Sequence, residues 1–85
     1  MDARRKRLLF RAMHRGTKEA DFVIGGFAQR FLADLTETEV DGFEALLDVD
    51  DNLLMLWCTG RAPTAAPHDS ALVDRIRQAA LERNC

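Results

Sequence analysis

Eighty-five residues, 47% hydrophobic and 31% charged, make one globular domain, and a chain this short buries only roughly 60 to 65% of the surface its unfolded form exposes. Little core is left to enclose an active-site cavity, so a surface function is expected, and a net charge of -2 argues against non-specific nucleic-acid binding by the whole molecule. Cys58 and Cys85 are too few for a disulfide framework and point to a reducing, cytoplasmic setting, while the longest apolar run, residues 53–58, falls far short of the roughly 20 residues that span a bilayer.

The charge is unevenly spread. Arg4, Arg5, Lys6, Arg7, Arg11, Arg15 and Lys18 are seven of the twelve basic residues, and residues 19–52 carry ten of the fourteen acids. With no apolar signal core behind it, the basic start reads as part of the fold and not as a targeting segment.

Residues 4–14 predict a first helix, with Leu9, Ala12 and Met13 inward and the arginines on the remaining surface. Gly16 ends it as a C-terminal cap, and Thr17 caps the next helix, so the turn between them is short. The second helix, predicted over residues 18–33, buries Val23 or Ile24, Phe27, Ala28, Phe31 and Leu32 and is the central one. Gly25 and Gly26 interrupt it, which implies a kink or the close approach of a neighbouring backbone.

Thr36 followed by Glu39 matches a capping box that opens a third helix, running to about residue 47 with Val40, Phe43, Leu46 and Leu47 inward. Asp50 or Asp51 caps a short fourth helix presenting Leu53, Leu56 and Trp57, and Thr59-Gly60 stops it. Residues 61–68 form an extended loop, after which Asp69 or Ser70 starts a fifth helix with Leu72 or Val73, Ile76, Ala79 and Ala80 inward, fraying toward Cys85. No segment alternates with period two. The expectation is an all-α protein, a small compact five-helix bundle.

Catalytic constellations are not evident. His14, His68, Cys58 and Cys85 lack metal-ligand spacing, Cys58 follows Trp57 on an apolar helix where cysteine behaves as a small hydrophobe, and Asp48, Asp50 and Asp51 are explained by helix capping and solvation. Arg15 and Glu19 have a local explanation too, because a cation is welcome at a helix C-terminus and a carboxylate at an N-terminus. A basic helix is also a candidate for phosphate contacts, which leaves a small adaptor for nucleic acid or another protein as the alternative function.

Residues 4–60 resemble the succinate dehydrogenase assembly factor 2 family, the SdhE proteins of bacteria. The likeness rests on Arg15-Gly16-Thr17-Lys18-Glu19, which matches the family's Arg-Gly-x-x-Glu hallmark between its first two helices. It extends to the basic Arg-Arg-Lys-Arg-Leu-Leu-Phe lead, His14, Asp21, Phe27, the Phe43-x-x-Leu-Leu run, and Leu53-x-x-x-Trp57-x-x-Gly60. Met13 departs from the tryptophan that some relatives carry just ahead of His-Arg-Gly.

The resemblance implies an assembly chaperone, not an enzyme. It would promote covalent attachment of FAD to the flavoprotein subunit of succinate dehydrogenase and, in bacteria, of the related fumarate reductase. A histidine of the flavoprotein carries out that chemistry, so this chain needs no nucleophile and binds no cofactor stably. Arg15, Gly16 and Glu19 would contact the client, with Arg7, Arg11, His14 and Asp21 beside them, and the chain would be a monomer when free, engaging neither nucleic acid nor membrane.

Overall fold

The computed structural model describes residues 1–83, and the expected fraying at Cys85 lies outside them. Five helices make up the bundle: α1 (Ala3–Met13), α2 (residues 18–31), α3 (Glu37–Leu47), α4 (Asp51–Cys58) and α5 (Ser70–Arg83). No strand occurs among the described residues.

Each start has its chemical reason. Asp2 accepts from the Arg5 amide at the head of α1, Thr17 from Ala20 at α2, and Asp50 from Asn52 at α4. Thr36 and Glu39 form the full capping box of α3, each side chain bonded to the other's backbone N–H, and Asp69 accepts from Ala71 and Leu72 to open α5. These bonds satisfy donors that no helical carbonyl reaches.

α2 is central, packing against both α1 and α5, while α3 leans on α1 and α5, and α4 on α5. The glycine pair marks the close approach of a neighbouring backbone. One turn of π-helix, Asp21–Gly25, bulges the axis, and a Cβ at Gly25 would stand 3.0 Å from the Met13 Cα and 3.1 Å from the Ala12 carbonyl oxygen. Gly25 thus lets the end of α1 lie directly on α2. The helix closes in a 3-10 turn, Leu32–Asp34.

The core holds Leu8, Ala12, Ile24, Phe27, Leu32, Val40, Phe43, Leu46, Leu54, Trp57, Cys58, Leu72, Val73 and Ile76 among others. Two helices sit in a different rotation from the one expected. In α1 the buried residues are Leu8 and Ala12, with Leu9 only partly covered. In α4 they are Leu54, Trp57 and Cys58, which leaves Leu53 and Leu56 at 42% and 39% exposed. The reason is the same in both: when apolar residues are adjacent, several faces satisfy the helical period, and the neighbouring helix selects one.

Candidate docking site

The turn between α1 and α2 is built around two opposed constraints. Gly16 adopts φ +108°, a conformation that L side chains rarely adopt, and it turns the chain sharply out of α1. On the α2 side, Asp21 Oδ1 accepts a hydrogen bond from the Arg15 amide at 2.6 Å, closing a ring around Gly16 and Thr17.

The Arg15 side chain supplies the second constraint. Its Nε donates to Asp51 Oδ1 at 2.6 Å, and its two terminal nitrogens donate to the carbonyls of Leu47 and Val49. The Leu47 carbonyl ends α3, where the last turn has no helical donors left, and the Val49 carbonyl lies two residues beyond it. The guanidinium therefore caps α3 and ties it to the first turn of α4, and the side chain is only 9% exposed. Arg15 was expected to contact the client; it faces inward because its planar five-donor fork fits the carbonyl that ends α3, a loop carbonyl just beyond it and a carboxylate together. Asp21, half-buried and occupied by the Arg15 amide, is likewise a residue that holds the turn.

What the turn offers outward is Gly16, Thr17, Lys18 and Glu19, all exposed. Nothing stands within 4 Å of where a Gly16 Cβ would be. The Glu19 carboxylate has no hydrogen bond or ion pair with any described residue. It borders a cleft of about 380 Å³ whose other wall is α4 and the start of the following loop: Asp51, Asn52, Met55, Leu56, Thr59 and Arg61.

The basic face of α1 is largely neutralised within the molecule. Arg4 reaches Asp41 at 2.7 Å and Glu44 at 2.6 Å, and Arg11 reaches Asp48 at 2.7 Å. Arg5 donates to the Leu32 and Leu35 carbonyls at the end of α2 and also pairs with Asp2. The separation of charge along the sequence thus folds back on itself, with α1 lying over the acidic α3. Arg7 and Lys6 stay exposed without an ion pair among the described residues.

His14 is exposed, its Nδ1 2.7 Å from the Phe10 carbonyl. A carbonyl only accepts, so Nδ1 carries the proton in this bond. Its ring stacks on Phe10 at 4.1 Å, and Phe10 is 64% exposed. This aromatic pair, one helical turn apart, borders a shallow groove shared with Arg11, Arg15 and Asp50. Phe10 was not singled out from the sequence, although its position off the buried stripe and four residues before His14 was the available signal. Met13 is half-buried, with its Cγ against Gly25.

Enzyme-like features are not brought together. Cys58 is buried, and desolvation pushes its thiol up to about 12, with Arg15 opposing weakly. His68 packs on Trp57, ring centres 5.4 Å apart. Among the described residues no group of three or more His, Cys, Asp or Glu could hold a metal ion, and no helix is long and apolar enough to cross a membrane.

A protein family described as the flavinator of succinate dehydrogenase matches the chain over residues 6–80. The chain belongs to this family. It is 46% identical over 74 residues to an FAD assembly factor SdhE of Acetobacter pasteurianus, a match covering 87% of this chain and 68% of the relative. It is 40% identical over 60 residues to a mitochondrial succinate dehydrogenase assembly factor 2 of Mycosarcoma maydis, and 36% identical over 59 residues to one of Scheffersomyces stipitis. Those matches cover 71% and 69% of this chain but only 25% and 40% of the fungal proteins. No solved structure matches the chain. Within the flavinator family, the geometry divides the Arg-Gly-x-x-Glu hallmark in two: Arg15 works inside the fold, whereas Gly16 and Glu19 face out.

Proposed function

We propose that this chain is a cytoplasmic assembly chaperone that docks on the flavoprotein subunit of succinate dehydrogenase and favours the client conformation in which FAD becomes covalently attached. Membership of the flavinator family supports the role, and one observation carries the mechanism. The turn at Gly16 is pinned from both sides by Arg15 and Asp21, yet presents an uncovered backbone and the unpaired Glu19 carboxylate. A surface held in one shape before binding loses little conformational freedom when a partner engages it.

Gly16 admits the client close to the backbone, Glu19 receives a client cation, and Arg7, Arg11 and His14 flank the contact. Arg15 and Asp21 act through the turn they hold. The chain transfers no group itself and holds no flavin of its own; it shifts a population. A preference of about 1.4 kcal/mol for the reactive client conformer changes its ratio to the unreactive one about tenfold, so a modest interface suffices. Fumarate reductase, built on a related flavoprotein, is a second client under the same reading, and the free chain is a monomer. The nucleic-acid alternative loses support because Arg4, Arg5 and Arg11 are occupied by acids and carbonyls of the same molecule.

The test is complementation of a strain lacking this gene, scored by in-gel flavin fluorescence of the succinate dehydrogenase flavoprotein and by capture of that subunit from native lysate. Glu19→Ala is expected to lower both readouts while leaving the helical content unchanged. Full covalent flavin with Glu19→Ala and Gly16→Arg alike would reject the reading.

A further inference from the structure

We infer that the client contact continues from the Gly16 turn along the cleft between that turn and α4, and that this cleft receives a client segment carrying a cation, an apolar side chain and an acid. The inference rests on the docking role proposed above and extends it to residues outside the family hallmark.

The cleft shares Thr17 and Glu19 with the turn, so an object bound at Gly16 already borders it. Its lining carries both signs of charge. Glu19 and Arg61 both border it, both exposed and neither ion-paired with a described residue. Asp51 and Asn52 add further polarity, although Asp51 is held by Arg15. Met55 and Leu56 supply its apolar lining. Leu53, one helical turn before Leu56, adds a second exposed leucine to α4.

Nothing in the core requires this arrangement. α4 buries Leu54, Trp57 and Cys58, so Leu53 and Leu56 are surplus to its packing, and exposed leucines beside unpaired charges are what an interface with an apolar centre and a polar rim presents. A second cleft on the other side of Glu19, lined by Phe22, Arg77 and Leu81, is a weaker candidate, because the Arg83 guanidinium lies over Phe22 at 4.1 Å from the ring centre.

The experiment measures binding of the purified flavoprotein subunit of succinate dehydrogenase to the full chain and to Leu56→Ser, Arg61→Glu and Glu19→Gln variants, with Gln29→Ala as a control on another surface. Helical circular dichroism and melting temperature are recorded for each. Removing one well-used interface side chain weakens binding by about fivefold to tenfold, and that is the loss expected for Leu56→Ser and for Arg61→Glu, with Gln29→Ala unchanged. Arg61→Glu touches no core contact, so it tests the cleft even if Leu56→Ser lowers stability. Parental binding by both cleft variants, with Glu19→Gln impaired, overturns the cleft while leaving the turn as the contact. Parental binding by all three overturns the docking role as well.

Discussion

Arg15 donates from Nε to Asp51 Oδ1 at 2.6 Å while its terminal nitrogens bond the Leu47 carbonyl at the end of α3 and the Val49 carbonyl just beyond it, so one side chain joins the hallmark turn, the end of one helix and the start of another. Removing it leaves a partly buried carboxylate and two carbonyls without their donors. Hydrogen bonds to charged groups contribute roughly 1.5 to 3 kcal/mol, and breaking a buried pair costs more than its net worth. Arg15→Ala is expected to lower unfolding stability by about 2 to 3 kcal/mol in urea titration, and Arg15→Lys to recover less than half, since an ammonium cannot reproduce the fork. A parental urea midpoint for Arg15→Ala would show that the clasp contributes nothing.

Glu19 should behave in the opposite way. Its carboxylate meets only the positive end of α2, an interaction of about 0.3 to 1 kcal/mol. Glu19→Gln is therefore expected to change stability by less than about 1 kcal/mol while weakening capture of the flavoprotein and reducing the salt dependence of that binding. A large stability loss with unaltered capture would assign Glu19 to the fold.

Gly16 separates backbone from surface. Any side chain there must hold φ +108°, a strain of about 1 to 3 kcal/mol, whereas the space beyond its Cβ position is open. Gly16→Ala and Gly16→Arg should thus destabilise the fold by similar amounts, contrary to the simple view that a bulky residue on this turn leaves the fold untouched. Their effect on client binding should differ, with Arg the more severe because its bulk occupies the approach. Thermal melts paired with binding isotherms measure the two effects separately.

The pattern of success in reading the chain follows from these contacts. Thr36 and Glu39, Thr17 and Asp69 announce helix starts through bonds made within a few residues, and local chemistry is legible in local sequence. The orientation of Arg15 depends on Leu47, Val49 and Asp51, more than thirty residues away, and no spacing rule encodes that distance. The α4 face was misread for a related reason: Leu53 and Leu56 are as apolar as Leu54, and only the docking of α5 decides among them. The outward position of Gly16 and Glu19 was readable because a positive-φ glycine and a first-turn carboxylate sit on the surface for local reasons.

Titrations of Glu39, Asp2 and Cys58 bound the pH range of stability. Glu39 is held below its ordinary range first by the Thr36 amide and then by Arg75, and Asp2 first by the Arg5 amide. A carboxylate depressed in the folded state contributes stability that is complete above its unfolded value and is lost as pH falls through the folded one. Cys58 works at the other end: its thiol, raised from 9.0 to about 12, favours the folded state fully below pH 9 and progressively less as pH rises toward 12. Urea midpoints across pH should fall on both sides. Glu39→Gln should flatten the acid limb and Cys58→Ala the alkaline one, and an unchanged acid limb in Glu39→Gln would remove the capping box from the account.

The paired glycines of α2 give the sharpest contrast in packing. At Gly25 an added methyl meets the Met13 Cα and the Ala12 carbonyl oxygen at 3.0 and 3.1 Å, and this backbone moves only if α1 moves. At Gly26 the three atoms nearest the same methyl all belong to the Arg83 guanidinium, the far end of a flexible side chain on an exposed residue. Replacing helical glycine by alanine otherwise favours the helix by about 1 kcal/mol. Gly26→Ala should therefore change stability little, because Arg83 can swing aside at the loss of its exposed contacts to Phe22, which the helix gain offsets. Gly25→Ala should cost about 1 to 3 kcal/mol through overpacking and, by shifting α1, should also loosen the turn that Arg15 and Asp21 hold. Amide exchange at Gly16 and Thr17 reads that loosening directly: faster exchange there in Gly25→Ala, with parental exchange in Gly26→Ala, is the expected result, and equal protection in both would show that the π-turn does not set the position of the docking face.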